Sequence, residues 1–343
     1  MFKSIGVQCY IPKFISGSEK TNTRDFLAKG AIVDNELDRF DFYSNFTNES
    51  QLQEIESIIK YKNYNFVITY AFVPAQVNSM ILNCGIKSYF LLWGNPTKDL
   101  FHGYSEATTN HILNSKSSNF LLCHKYLKNL FSESSPIQNI DNLNIPLFCN
   151  PNIINTWAKN QQEDYILIVC SRLNIPVMAR HLKLLQSIIA ECSDINFIIC
   201  GKENESITLS QNVQTFESKS VDAIYKKMQK ARLMIYTQPV IADFLSGQTL
   251  QYAPIEASCI GLPILHCSSN PINGIINCPQ DHIFDVKYNG EVFYDYKEVY
   301  SKIKRILSLP KDDVIREFSY QKNLYKNYDP QKLKKHYKEY FSK

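Results

Sequence analysis

The stretch from Gln248 to His266, QTLQYAPIEASCIGLPILH, carries the residue types best suited to chemistry in this chain of 343 residues. It reads as a loop, a short helix opened by Pro254, a break at Gly261-Leu-Pro263, and a buried strand over Pro263–Cys267. Proline suits a first turn, where its missing N–H costs nothing. Glu256 falls in that first turn on this reading, and an ionised carboxylate there can accept hydrogen bonds from two adjacent sugar hydroxyls. The same helix end offers unpaired amides and the positive end of the helix dipole, which favour an anion such as a phosphate. Ala257, Ser258 and Cys259 are small, so the helix can lie close to a sheet. Gly261 can supply the left-handed residue that ends it. The plainer alternative is a carboxylate that only caps a helix followed by Gly-x-Pro.

Such a site needs strands and helices to hold it. Asn65–Phe72, Ser88–Trp93 and Asn119–His124 are short apolar runs that read as strands, and Lys3–Tyr10 and Phe40–Phe46 join them. Between them the spacing predicts helices over Thr23–Gly30, Gln51–Tyr61, Pro74–Asn83 and Lys125–Phe131, the second with Ser50 as N-cap and Gln53 completing a capping box. The pattern repeats further on. Strands read at Tyr165–Cys170, Asn196–Cys200, Asn212–Phe216 and Arg232–Tyr236, and helices at Ala179–Glu191, Val221–Lys230, Tyr294–Leu307 and Asp329–Phe341. Buried strands alternating with helices predict an α/β fold with parallel sheets. Ile145–Pro151 has the look of a crossing between two domains.

In open α/β sheets, ligands bind outside the carboxyl ends of the strands. Three further loops therefore matter. The segment from Trp93 to Gly103 contains Asp99 and His102; Ser171-Arg172-Leu173 follows a strand directly; Gly201-Lys202 follows another. A glycine lets the backbone approach a ligand. Lys202 either touches phosphate or points to water.

Composition narrows the class. The length suits two domains, each able to bury its own core. A formal charge of +4 is too small to imply nucleic acid. Residues 322–343 carry seven lysines interleaved with Tyr325, Tyr328, Tyr337, Tyr340 and Phe341. That end is either a solvated amphipathic helix or a surface attracted to anionic lipid or an acidic acceptor. The ten cysteines form no C-x-x-C pair and several sit in apolar runs, as buried thiols of a reducing compartment do. No metal site is expected. No signal peptide is evident, and no apolar run reaches the ~18 residues of a membrane span. The expected location is cytoplasmic, with peripheral contact at the inner face of the membrane.

The run Glu256-Ala257-Ser258-Cys259-Ile260-Gly261-Leu262-Pro263 resembles the "EAxxxGxP" motif of GT-B glycosyltransferases, in particular the retaining enzymes with a Glu-x7-Glu motif. The resemblance covers about residues 145–310 with motifs, and the order of strands before that. It implies two Rossmann-like domains with parallel sheets facing a cleft: 1–150 for the acceptor, 151–325 for the nucleotide sugar. It also implies a C-terminal helix, 326–343, crossing back to the first domain. Glu256 would hold the ribose. Arg172 falls on the family's arginine for the donor diphosphate, and Arg180 is the nearest cation to the family's lysine. An arginine presents a planar fork to phosphate oxygens. Gly201 and Lys202 fall on a glycine turn of the family, and the amides near Thr249 and Leu250 on its phosphate-binding helix end. The first Glu of the motif is here Gln248, and the family's glycine-rich link is replaced by Thr249-Leu250-Gln251. Asp99 and His102 become candidates for a general base or an acceptor contact.

The implied activity is transfer of a sugar from a nucleotide-activated donor to a hydroxyl of a glycan or lipid-linked acceptor. No metal or other cofactor is expected, the nucleotide sugar being a substrate. Cell-surface polysaccharide or lipooligosaccharide synthesis is the expected setting. A sugar-nucleotide epimerase and a catalytically degenerate GT-B binding subunit are the rival readings. The departure at Gln248 supports the second. A nucleic-acid glucosyltransferase would need a broad basic cleft, which the modest charge does not suggest.

Overall fold

The computed structural model describes residues 6–11, 31–40, 48–70, 75–92, 106–116, 118–122, 140–141, 151–169, 185–200, 210–217, 220–236, 252–268, 272–285, 287–288, 292–293, 295–324 and 330–341. The chain divides into two compact units, Met1–Pro146 with Lys334–Lys343, and Leu147–Leu333.

In the first unit, β1 (Tyr10–Ile11) pairs in parallel with β2 (Ile32–Val33). The sequence pattern favours Phe40–Phe46 for this second strand, but Ile32–Val33 takes the place. Asp34 then turns the chain: its carboxylate accepts from the backbone N–H of Glu36 at 3.0 Å and of Leu37 at 3.2 Å. Phe40 is buried after that turn, and residues 41–47 lie outside the described residues. Helix α1 (Glu49–Lys62) is capped by Asn48 rather than Ser50. The Asn48 side chain accepts from the Ser50 backbone N–H at 2.9 Å and from its hydroxyl at 2.8 Å. Asn is at least as strong a cap as Ser, and lying two residues earlier it draws Ser50 into the first turn. Ile55, Ile58 and Ile59 of α1 pack with Val77, Met80 and Ile81 of α2 (Ala75–Asn83).

The main sheet of this unit joins β3 (Val67–Tyr70), β4 (Ser88–Leu92), β5 (Ser118–Leu122) and β6 (Ile140–Asp141) in that order, every pair parallel. Helix α3 (Glu106–Asn114) links β4 to β5. Its sequence, EATTNHILN, has little apolar periodicity, and neither it nor the two-residue β6 is legible beforehand.

The second unit is built on a six-stranded parallel sheet. Its strands are β7 (Ile166–Val169), β8 (Phe197–Cys200), β9 (Val213–Phe216), β10 (Leu233–Tyr236), β11 (Ile264–Cys267) and β12 (Ile283–Phe284). The order across the sheet is β12-β11-β10-β7-β8-β9. Counted within the unit this is the doubly wound order 3-2-1-4-5-6, in which the chain reverses its direction of travel between β7 and β10. β8, β10 and β11 are buried at every position, as parallel strands covered on both faces must be. Leu167, Phe197, Met234, Leu265 and Phe284 belong to one contiguous core. A small antiparallel hairpin, β13 (Lys287–Tyr288) with β14 (Val292–Phe293), stands apart from it.

The helices of this unit are α4 (Val221–Lys230), α5 (Tyr252–Ile260), α6 (Ile272–Ile276), α7 (Tyr296–Ser308) and α8 (Lys311–Glu317), with a further helical stretch over 185–191. α7 starts at Asp295, whose carboxylate accepts from the N–H groups of Lys297 at 2.9 Å and Glu298 at 3.3 Å. It buries Val299, Ile303 and Ile306. Trp157 lies in a short 3₁₀ turn and donates its indole N–H to the Ala231 carbonyl at 2.7 Å, so the entry to this unit is pinned to the end of α4.

The last helix, α9 (Pro330–Phe341), places Phe341 against the first unit's sheet. Its ring stacks on Phe66 at 4.9 Å and meets the edge of Tyr89 at 5.4 Å. Tyr337 is buried one turn back, and Lys334, Lys335 and Lys338 are exposed.

Candidate functional site

The reversal between β7 and β10 is where an open α/β sheet opens a crevice at the carboxyl ends of its strands. β7 ends at Val169 and β10 at Tyr236, and α5 is the helix that returns the chain from β10 to β11. α5 begins at Tyr252, two residues before the start predicted at Pro254. Pro254 is therefore its third residue, still among the first four whose N–H has no helical partner. Glu256 is the fifth residue, two residues further in than the sequence pattern places it.

Glu256 is half-buried, and its Oε1 accepts a hydrogen bond from the Tyr225 hydroxyl at 2.7 Å. Tyr225 belongs to the buried face of α4 together with Met228. Ser220 caps that helix, accepting from the Ala223 N–H at 3.2 Å. A tyrosine on an amphipathic helix is legible in the sequence; its bond to a carboxylate 31 residues on is not.

The far end of α5 is fixed tightly. Gly261 has φ +85°, and the N–H groups of Gly261 and Leu262 both reach the Ala257 carbonyl at 3.0 Å. This is a Schellman ending, with Leu262 fully buried beyond it. The Asn155 N–H donates to the Cys259 carbonyl at 3.0 Å, and Gln321 Nε2 donates to the Leu262 carbonyl at 3.1 Å. Ala257, Ser258 and Cys259 are all buried, so the small residues do bring the helix close to its neighbours. The helix that carries Glu256 is thus held from both sides.

Of the candidate catalytic and donor-binding residues, Glu256 alone falls among the described residues. Asp99, His102, Arg172, Arg180, Gly201, Lys202, Gln248, Thr249 and Leu250 lie outside them.

A second polar cluster lies at the β11–β12 edge. His266, on β11, is fully buried, and neither ring nitrogen has a hydrogen-bond partner among the described residues. Burial, helped by the nearby His282, pushes its pKa down to about 3. His282 Nδ1 lies 3.0 Å from the Tyr320 hydroxyl and Nε2 2.6 Å from Glu317 Oε1. Burial lowers the His282 pKa as well, with Glu317 opposing it. Arg305 binds the same carboxylate at 2.7 Å. The Cys278 thiol, 3.5 Å from Tyr320, is pushed up to about 11 by burial. Cys192 and Cys200 rise to about 12 for the same reason. At those values the thiols stay protonated at neutral pH and serve as apolar packing. Among the described residues no group of three His, Cys, Asp or Glu side chains is arranged to hold a metal ion. No described helix is long and apolar enough to cross a membrane.

No protein-family model matches the sequence, and no curated protein is similar to it at a significant level. Solved structures are similar in fold. The spinosyn forosaminyltransferase SpnP matches with TM-score 0.57 at 9% identity, over 100% of this chain and 93% of that one. A variant of S. aureus TarM in complex with fondaparinux, α-GlcNAc-glycerol and UDP matches with TM-score 0.61 at 13% identity, over 85% of this chain and 59% of that one. A protein assigned as a UDP-N-acetylglucosamine 2-epimerase from Listeria monocytogenes matches with TM-score 0.52 at 11% identity, over 88% and 80%. With the parallel sheets described above, these likenesses define the fold class as α/β of the GT-B type.

Proposed function

We propose that this chain is a glycosyltransferase that moves a sugar from a nucleotide-activated donor to a hydroxyl of a glycan or glycolipid acceptor. The observation that carries the reading is Glu256, a carboxylate on the helix that follows the sheet's reversal, held by Tyr225 at 2.7 Å. The GT-B fold supports it, since two of the three similar structures are named as transferases or hold UDP. In this proposal the second unit takes the nucleotide sugar and the first the acceptor, as domains 1–150 and 151–325, with 326–343 returning to the first. Glu256 accepts hydrogen bonds from the ribose. Arg172 and Arg180, with amides at the start of α5 near Thr249 and Leu250, stabilise the charge that gathers on the leaving diphosphate. Gly201 and Lys202 are further candidate contacts to the donor in this proposal.

The bond between the anomeric carbon and the diphosphate oxygen breaks, and a bond to the acceptor oxygen forms. The hydroxyl proton passes to Asp99 or His102 if the product is inverted. Gln248 hydrogen-bonds the donor sugar where a carboxylate would otherwise stand. No metal is required in this scheme. A cytoplasmic enzyme of cell-surface polysaccharide or lipooligosaccharide synthesis, with its lysine-rich end against anionic lipid, completes the proposal. The likeness to a protein assigned as a sugar-nucleotide epimerase supports a second reading, in which the same donor site serves epimerisation.

The test is thermal stability against UDP, GDP, ADP, TDP and CMP, for the wild type and Glu256→Ala. A nucleotide at ~100 times its dissociation constant adds ~2.7 kcal/mol to stability. A shift with one nucleotide that is lost in Glu256→Ala supports the donor site, and release of that nucleotide only with an acceptor separates transfer from epimerisation. No shift with any nucleotide overturns the proposal and leaves a binding subunit that has lost its donor site.

A further inference from the structure

The first unit brings together lysines that the sequence keeps apart. β3, β4 and β5 run parallel, so their amino ends share one rim. Lys87 stands just before β4 and Lys116 two residues before β5, and both are exposed. Ser88 pairs with Val67 on one side and Ser118 on the other, so Lys87 lies between Phe66 and the lead-in to β5. Phe66 stacks on the Phe341 ring, and Lys87 Nζ lies 5.4 Å from the centre of Tyr89, which Phe341 also meets. α9 is thereby held at the same rim. With Tyr337 and Phe341 turned to the sheet, helical spacing sets the exposed Lys334, Lys335 and Lys338 along one flank of α9. The last turn of α1 ends at this rim too, and Tyr61 in it is 80% exposed.

Other lysines nearby are already used. Lys60 binds Glu56 at 2.5 Å and Lys62 binds Glu36 at 2.7 Å. Lys87, Lys116, Lys334, Lys335 and Lys338 have no ion pair among the described residues, and Glu339 is the one acidic residue of α9. Like charges gathered on one rim gain nothing from each other, whereas an extended negative surface within a Debye length attracts all of them at once. An exposed phenol beside them suits the headgroup level of a bilayer, which takes both the apolar ring and the hydroxyl. We infer that the amino-end rim of the first unit's sheet is a docking face for an anionic phospholipid bilayer, built jointly by Lys87, Lys116 and the three lysines of α9. The carboxyl ends of these strands, where α/β sheets bind ligands, lie about 15 Å away along β4 and stay clear of such a surface. The inference goes beyond the contact proposed for the lysine-rich end, because Lys87 and Lys116 are no part of that end, and it does not rest on the donor site.

The experiment is co-sedimentation of the full chain with vesicles of phosphatidylcholine alone and with about one-third phosphatidylglycerol added. Two variants are compared with the wild type: Lys87→Gln with Lys116→Gln, and Lys334→Gln with Lys335→Gln and Lys338→Gln. All five residues are exposed, so the core is untouched. The wild type is expected to bind the anionic vesicles alone and to be released by about 0.5 M salt. One lysine near such a surface is worth about fivefold in partitioning, so the first variant should bind about 25-fold more weakly and the second about 100-fold. A first variant that binds like the wild type overturns the face and reduces the contact to a charged end. Equal binding to neutral vesicles overturns the electrostatic basis, and binding to a DNA duplex but not to anionic vesicles overturns the lipid in favour of nucleic acid. Nucleotide-induced thermal shifts, read on the same samples, keep the two proposals apart. Vesicle binding without any shift removes the donor site and leaves the docking face; a shift without vesicle binding does the reverse.

Discussion

His282 lies face to face with Phe318, ring centroids 4.0 Å apart and planes 10° apart, with Glu317 at one ring nitrogen and Tyr320 at the other. All three partners come from one continuous segment, the end of α8 and the 3₁₀ turn after it. One imidazole thus docks that segment onto β12. It also stands close enough to His266 to make a positive charge there still less favourable.

This pair gives the second unit an acid limit. Above pH ~6.5 His266 is neutral whether the chain is folded or unfolded, so its contribution is flat. Below that value the unfolded chain binds a proton that the folded one refuses until about pH 3. The unfolded state then holds more protons, so stability falls as pH falls, by ~1.4 kcal/mol per unit for that one group. His282, also lowered, adds in the same direction. Urea unfolding at about pH 7.5 and about pH 5 is expected to differ by roughly 2 kcal/mol from His266 alone, and His266→Leu should remove that share of the slope. A slope that His266→Leu leaves unaltered would contradict the assignment.

Gly261→Ala tests the turn that ends α5. An added Cβ would meet only Asn155, at 3.7 Å and 3.8 Å, which is ordinary contact. The cost is then that of the left-handed backbone, ~1–2 kcal/mol. Chemical denaturation measures it, and a loss well above that range would mean that the turn had moved and not merely strained.

Asp295→Ala removes the cap of α7 and leaves the N–H groups of Lys297 and Glu298 to water. A loss of ~1 kcal/mol is expected. Asp295→Asn should recover most of it, because an amide oxygen serves the same two donors. Equal losses for both variants would count against capping as the cause.

Phe341→Ala takes away the ring that lies on Phe66 and Tyr89. The residue is only partly buried, so the loss should be ~2 kcal/mol and not the larger figure of a sealed core. Amide hydrogen exchange is expected to rise along α9 first. Unchanged protection there would show that Tyr337 alone keeps the helix in place.

Much of the second unit is legible because its strands are short, apolar and bounded. Val221–Lys230 is read at its full length, since Ser220 caps it and its apolar face repeats cleanly. The first unit is harder. α3 has a polar composition, and β2 is two residues of a run in which nearby aromatics make a more persuasive strand. At the site, Glu256 stands out because a lone carboxylate precedes Gly-x-Pro. Tyr225 does not, because a bond between two helices depends on how they pack and leaves no spacing to read. The same holds for His266, whose strand is plain in the sequence while its lack of a hydrogen-bond partner among the described residues is a property of the fold.

The indole of Trp157 is nearly sealed from water, with its N–H on the Ala231 carbonyl and the Lys311 ammonium over its ring at 5.6 Å. The chain has two tryptophans, the other being Trp93. With Trp93 replaced by Phe, Trp157 becomes a single fluorophore inside the second unit, emitting to the blue while that unit is folded and shifting to the red when it opens. Its two partners sit at the end of α4 and the start of α8, so the colour of one residue reports whether the two ends of the second unit are still joined.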